Sequence, residues 1–247
     1  MQIVTPGLVL REVKVGESDR ILTIFTPGQG LITASAKGSL RLKSKLFSAC
    51  GLFCYSEFTL FAGKTMYQVD DAQVKQVFHG LSANIARLGL AMYLAEIAQS
   101  LSPTGKEAEV ELRLLLNSLY MISEGKRDLR QVKAVYELRA ASEAGYLPQL
   151  LCCAGCGRYD GGDFLFDLPS GALYCAECAQ KRGEKPNLDA AALIALRHIC
   201  LVDDRKVFSF TLSPASMQRL GAAAELYLLQ RLDKPLKSMD FLKQVLP

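Results

Sequence analysis

Apolar and polar residues alternate in short runs over the first third of the chain. Residues 8–15 (Leu-Val-Leu-Arg-Glu-Val-Lys-Val) end with Val13 and Val15 on one side and Glu12 and Lys14 on the other. That two-residue period marks a strand with one covered face. Residues 21–25 form a short apolar run, Pro27-Gly-Gln-Gly30 is a turn cluster, and residues 31–36 resume the strand. Alternation returns at 53–61, residues 62–64 read as a hairpin loop, and Met66-Tyr-Gln-Val69 begins a fifth strand. Five short strands in about 75 residues predict a small closed barrel. An OB-fold fits that count, and an SH3-like barrel fits nearly as well.

From Leu81 the period lengthens. Leu81, Ile85, Leu88, Met92 and Ala95 recur at helical spacing, with Ser82 as the expected cap. The stretch 102–105 (Ser-Pro-Thr-Gly) breaks the pattern. A second helix carries Leu112, Leu115, Leu116, Leu119 and Ile122 and stops at Glu124-Gly125. A third runs from about 129 to 144 and stops at Gly145. Further helices are expected at about 188–201 and at 214–232, the latter with Ser213 as cap and Pro214 in its first position. A last helical turn covers 241–246. Apolar stripes of this kind are core-forming faces of a helix bundle.

Two Cys-x-x-Cys pairs interrupt the helical part. Cys153 and Cys156 form the first and Cys175 and Cys178 the second, with eighteen residues between the pairs. This is the spacing of a four-cysteine zinc site. Each pair grips one edge of a tetrahedron at about 2.3 Å per bond, and four thiolates leave no open position, so the Zn²⁺ is structural. Cys152 is an alternative to Cys153, but the two-residue gap fits a knuckle better. Gly157 is where the backbone turns and aims N–H groups at sulfur. Residues 163–167 and 172–174 flank a Pro-Ser-Gly turn and predict a hairpin that delivers the second pair. The reading is an α+β multi-domain chain. An N-terminal five-stranded barrel occupies 1–80. A helical bundle domain spans 81–150 and 185–247, with the four-cysteine zinc finger, 151–184, inserted in it.

Half of the 247 residues are hydrophobic and 22% are charged, which excludes wholesale disorder. Eight cysteines without a signal peptide, and no apolar run approaching a membrane span of about 18 residues, point to a soluble cytosolic protein in a reducing compartment. Net charge is +4, mildly basic, but the charge is uneven. From Arg20 to Ser56 there are five basic residues, Arg20, Lys37, Arg41, Lys43 and Lys45, and no acid. Four of them fall within 37–45, a loop-like stretch after a strand. With Ser39 and Ser44 as hydroxyl donors, and Arg11 on the first strand as a further candidate, this suits phosphate binding without sequence preference. A solvated loop is the plainer alternative. Phe47, Phe53, Tyr55, Phe58, Phe61 and Tyr67 share the region; most are expected to fill the barrel, and any one of them could stack a base. Asp70-Asp71 reads as a solvated strand end. Catalytic motifs are missing: His79 and His198 stand far apart, and no Gly-rich phosphate loop or His-Glu-x-x-His occurs.

The residues Gly7-Leu-Val-Leu-Arg11, Gly16-Glu-Ser-Asp-Arg20, Phe25-Thr26, Gly30 and Ala36-Lys-Gly38 followed by basic residues resemble the N-terminal domain of the bacterial RecO recombination mediators. Lys234-Pro-Leu-Lys-Ser238 and the apolar close after it resemble the end of that family. The resemblance covers essentially the whole chain. It implies an OB-fold, a helical domain and, in many members, a zinc finger. It also implies binding of single- and double-stranded DNA, strand annealing, and action with RecR to help RecA displace SSB, whose acidic C-terminal tail is a further partner. The resemblance puts that tail on the helical domain, where Arg130, Lys133 and Arg139 of the third helix are the candidates. Residues 1–80 carry nine Lys or Arg against six Asp or Glu, so DNA binding needs a local patch or a partner. Two rivals remain: a zinc-ribbon transcription or RNA-binding factor, and an enzyme that uses its thiols.

Overall fold

The computed structural model describes residues 2–102 and 104–246. Pro103, part of the expected break at 102–105, lies outside the described residues. The chain divides into two compact units, 1–123 and 124–247.

The first unit is built on five strands, β1 (Gln2–Val15), β2 (Asp19–Thr26), β3 (Gly30–Ala36), β4 (Cys54–Ala62) and β5 (Tyr67–Val77), with one short helix, α1 (Leu46–Ala49), between β3 and β4. They close in the order β1-β2-β3-β5-β4. β1 makes closure possible because it is shared. Its first half pairs with β4, from Gln2 opposite Phe61 to Leu8 opposite Tyr55, and its second half pairs with β2. A bulge between Val9 and Arg11 falls in the β2-paired part, where an extra residue bends and twists a strand. β3 meets β5 in parallel through only two pairs, Ala34 with Tyr67 and Ser35 with Gln68. Val9, Leu22, Ile24, Ile32, Ala34, Phe58, Leu60 and Val69 fill the interior, and Leu46 and Ala49 of α1 join the same cluster. Five antiparallel-wound strands closed by one parallel pair, with a helix between the third and fourth, make an OB-fold.

β5 is longer than the sequence pattern suggests. Asp70 and Asp71 lie inside it rather than at its end, and both are exposed. A register shift explains this: Thr59 pairs with Asp71 while Leu60 pairs with Val69, so Asp70 is the extra residue of a bulge. Strict alternation would have sent one of the two carboxylates inward.

Two helices complete the unit, α2 (Ile85–Leu101) and α3 (Glu109–Glu124). Asn84, not Ser82, caps α2: its side chain accepts from the Ala86 N–H at 2.7 Å, while Ser82 Oγ donates to the His79 carbonyl. The buried face of α2 is Leu90, Leu94, Ile97 and the small residues Ala91 and Ala98. Ile85 and Met92 of the expected stripe are 60% and 45% exposed. α2 is apolar nearly all round, so periodicity alone left its core face undecided. Gly80 N–H donates to Ser123 Oγ at 3.0 Å, and a Cβ on Gly80 would lie 2.0 Å from the Ser123 carbonyl oxygen; only glycine permits that approach. Residues 81–123 belong to the same compact unit as the barrel, with Gly105 and Ala108 N–H groups donating to the Gln29 and Pro27 carbonyls of the β2–β3 turn.

The second unit contains α4 (Leu129–Glu143), β6 (Gln149–Cys153), β7 (Phe164–Asp167), β8 (Ala172–Cys175), α5 (Ala176–Lys181), α6 (Ala190–Leu201), α7 (Pro214–Leu229) and α8 (Ser238–Val245). Asp128, Asp189 and Ser213 cap α4, α6 and α7 by accepting from the first-turn N–H groups of Arg130, Ala192 and Ser216. α4 packs on α6 and α7. Val132, Val135 and Leu138, Leu193, Leu196 and Ile199, and Leu220 and Leu228 are buried there. β7 and β8 form the expected hairpin. β6 adds a third strand parallel to β8, giving the order β6-β8-β7. No helix among the described residues is long and apolar enough to cross a membrane.

Candidate nucleic-acid interface and metal centre

The basic loop is a chain of turns hung from the β1–β2 corner. Gly38 N–H donates to Asp19 Oδ1 at 2.8 Å and Leu40 N–H to the Ser18 carbonyl at 2.9 Å. Arg41, Ser44 and Phe47 N–H groups then donate to the carbonyls of Gly38, Arg41 and Ser44. Asp19 is held below the usual aspartate range, chiefly by the Gly38 N–H and then by Ser18, against desolvation and with help from Lys37 and Arg41. Lys37, Arg41, Lys43 and Lys45 are exposed. Among the described residues none of these four stands within ion-pair distance of a carboxylate. Lys37 and Arg41 feel the Asp19 carboxylate without closing an ion pair, so the ordered loop can take phosphate oxygens without first breaking internal ion pairs. Arg11 is exposed on β1 at its bulge.

Three expectations for this region change. Arg20 is only 6% exposed. Its guanidinium pairs with Glu12 at 3.3 Å, donates to the Phe47 carbonyl at 3.1 Å and lies 5.5 Å from the Phe47 ring centroid. It fastens the end of the loop to the barrel and is not presented to solvent. Ser39 is buried and donates to the Ala36 carbonyl at 2.8 Å, and Ser44 Oγ accepts from the Leu46 N–H, so both hydroxyls serve the loop's own turns. Of the aromatics, Phe53 and Phe58 are buried, while Phe47 and Phe61 are 38% and 41% exposed. Tyr67 donates to Gln29 Oε1 at 2.7 Å.

The cysteine pairs converge in the second unit. The Sγ atoms of Cys153, Cys156, Cys175 and Cys178 all lie within 4.8 Å of one another. Cys156 and Cys175 are 3.7 Å apart. A tetrahedron with bonds of about 2.3 Å has edges of about 3.8 Å, so this donor set fits one tetrahedral thiolate-bound ion. Cys153 belongs to the cluster and the exposed Cys152 does not. Backbone N–H groups prepare the site. Cys175 N–H and Gly155 N–H point at Cys153 Sγ, at 3.2 and 3.4 Å. Burial opposes ionisation of Cys153, yet these N–H groups, with that of Cys156, bring its thiol down to about 6. Gly157 does adopt the left-handed turn, φ +75°, but its N–H goes to the Cys153 carbonyl and not to sulfur. It is Gly155 whose Cβ would meet Cys178 Sγ at 3.0 Å. By contrast, burial pushes Cys50 up to about 12 and Cys200 up to about 11; these are neutral core thiols.

The finger is tied to the helices through Arg197 of α6. This buried guanidinium donates to the carbonyls of Leu150, at 2.8 Å, and Tyr159, at 2.6 Å, and lies 4.2 Å from the Tyr159 ring centroid. Arg158 pairs with Glu177 at 3.1 Å. Arg182 sits 4.2 Å over Tyr174. Sequence reading assigned no role to Arg197, because nothing local distinguishes it from a solvated helix cation.

The candidate cations of α4 are differently placed. Lys133 sits between Glu137 and Glu225, 2.7 Å from each. Arg139 pairs with Glu143 and Asp204 and donates to the Ile199 and Cys200 carbonyls. Both serve the packing of α4. Arg130 is exposed on the first turn.

Two family models divide the chain between them. Residues 1–78 match that described as Recombination protein O N terminal, and residues 82–240 match Recombination protein O C terminal. The chain belongs to the RecO family. The DNA repair protein RecO of Acetivibrio thermocellus is 35% identical over 239 residues, covering 97% of this chain and 95% of the relative. The RecO of Alkaliphilus metalliredigens is 28% identical over 246 residues, 99% of this chain and 100% of the relative. That of Caldicellulosiruptor saccharolyticus is 30% identical over 237 residues, 96% of each. The seam between the RecO models, 79–81, coincides with the short turn that separates β5 from α2.

Proposed function

We propose that this chain is a non-enzymatic DNA-binding mediator of recombinational repair, working in the cytoplasm on the nucleoid. It binds single- and double-stranded DNA and anneals complementary strands. With RecR it helps RecA load onto single strands coated with SSB. The observation that carries this reading is the family match across both parts of the chain. The relatives' shared description as DNA repair proteins supports it. So does an OB-fold bearing an ordered cationic loop, since small barrels of this kind hold strands by phosphate contacts and stacking.

The phosphate contacts are assigned to Lys37, Arg41, Lys43 and Lys45, with Arg11 adjoining; Arg20 supports the loop from within. Phosphate neutralisation releases counterions from DNA, so affinity comes largely from these cations and carries little sequence preference. The metal is Zn²⁺, held by Cys153, Cys156, Cys175 and Cys178. When bound it supplies cross-linking of the two knuckles and no reaction chemistry. The acidic tail of SSB docks on the α4 side of the helices, with Arg130 as its exposed cation; Lys133 and Arg139 hold that helix in place.

An annealing assay tests the function. Complementary SSB-coated strands carrying a fluorophore and a quencher should pair faster with the protein present, and RecA filaments should form sooner when RecR is added. Pairing at the protein-free rate, with RecA assembly unchanged by RecR, would refute the mediator reading.

A further inference from the structure

The most exposed large hydrophobic side chain among the described residues is Leu42, at 85%. Its neighbours are Arg41 and Lys43, with Lys45 two residues further on, all exposed. Isolated surface leucines are ordinary, but this one stands on a segment pinned at both ends. Gly38 and Leu40 N–H groups are bonded to Asp19 and Ser18, and Ser44 and Phe47 N–H groups to the carbonyls of Arg41 and Ser44. Buried Ser39 locks the first turn through the Ala36 carbonyl. The chain therefore uses a run of loop hydrogen bonds to hold an apolar side chain out in water between cations.

We infer that Leu42 is a wedge that enters between two neighbouring bases while Arg41, Lys43 and Lys45 hold the flanking phosphates; this rests on the DNA-binding reading above. The charge pattern selects the partner. Exposed Arg41, Lys43 and Lys45 flank the leucine along the chain, and the carboxylate held at the loop's base, Asp19, is tied to Gly38, so the tip favours a polyanion. Proteins that open base steps use this pairing, an apolar residue for the gap and cations for the backbone on either side. A wedge at the tip of a rigid loop also gives a mediator a means of unstacking one strand as it is exchanged for another.

The test uses the full-length protein and DNA containing 2-aminopurine, whose fluorescence rises when it is unstacked. Wild type should raise the signal on single strands and duplex. Leu42→Ala should abolish the rise and weaken binding about tenfold at fixed salt, because less apolar surface is buried between the bases. It should leave the slope of log K against log salt unchanged. Leu42→Phe should restore both signal and affinity. An unchanged signal in Leu42→Ala overturns the wedge, as does a wild type that binds DNA without raising it. So does Leu42-dependent binding to vesicles containing phosphatidylserine with no change in 2-aminopurine, since that assigns the tip to a lipid surface. Failure of the DNA-binding reading itself would look different: removing the four loop charges would then leave the salt slope as it was.

Discussion

At the scale of single residues, neighbouring cations on one stretch have opposite fates. Arg20 and Lys37 read alike in the sequence, yet Arg20 is enclosed by Glu12 and Phe47 while Lys37 faces water. Arg20→Ala should lower unfolding stability by about 3 kcal/mol, because Glu12 loses its partner in a poorly solvated place. Its salt dependence of DNA binding should match wild type, which denaturant titration and a binding series measure separately. Asp19 is the other pivot. Its pKa is depressed by the Gly38 N–H first and Ser18 second, so its contribution is complete above the ordinary aspartate value. The contribution is lost as pH falls through the depressed value. Hydrogen exchange corrected for intrinsic rate should show Gly38 losing protection in that acid window, and at neutral pH in Asp19→Ala. Equal protection of Gly38 in the variant at neutral pH would mean that the loop is held by other bonds.

At the scale of elements, the finger and α4 illustrate what spacing conveys and what it leaves out. Four cysteines at the right intervals announced the donor set, but the choice of Cys153 over Cys152 depends on which thiol faces the N–H of Cys175. Chelation, or Cys156→Ser, should lower the melting temperature of the second unit, since metal binding energy is folding energy there. Protein with bound zinc removed that melts as before would contradict a structural metal. Arg197→Ala should cost about 1–3 kcal/mol by orphaning the buried Leu150 carbonyl of β6 and releasing that of Tyr159, and should speed proteolysis within 151–163. In α4, burial works against the Lys133 charge, but Glu137 and then Glu225 outweigh it and raise its pKa above the lysine value of 10.5. The stabilisation is therefore full below that value and is lost as pH rises through the raised one. Lys133→Met should be less stable than wild type at pH 8, with the gap narrowing in strongly alkaline solution, as urea midpoints across pH will show.

At the scale of the whole molecule, the barrel, the helical segments and the cysteine cluster were legible because each has its own period or spacing. Alternation marks strands, and a Ser-Pro pair opens α7 as expected. What escaped depends on distant partners. The core face of α2 is chosen by what packs on it, the outward turn of both Asp70 and Asp71 by a bulge against β4, and the burial of Arg20 by Glu12 and Phe47. The placement of residues 81–123 in the barrel's unit rests on pairings such as Ala108 with Pro27, which no local pattern encodes. The loop 37–45 is proposed to carry the phosphate contacts, and a salt series tests that assignment. Single-stranded DNA binding is measured over a salt series for wild type and for Lys37→Gln/Arg41→Gln/Lys43→Gln/Lys45→Gln. Every phosphate left without its cation should reduce the slope of log K against log salt by about 0.7, so the variant should bind weakly and with a flattened salt dependence. An affinity and slope equal to wild type would contradict the account and put the DNA on another surface.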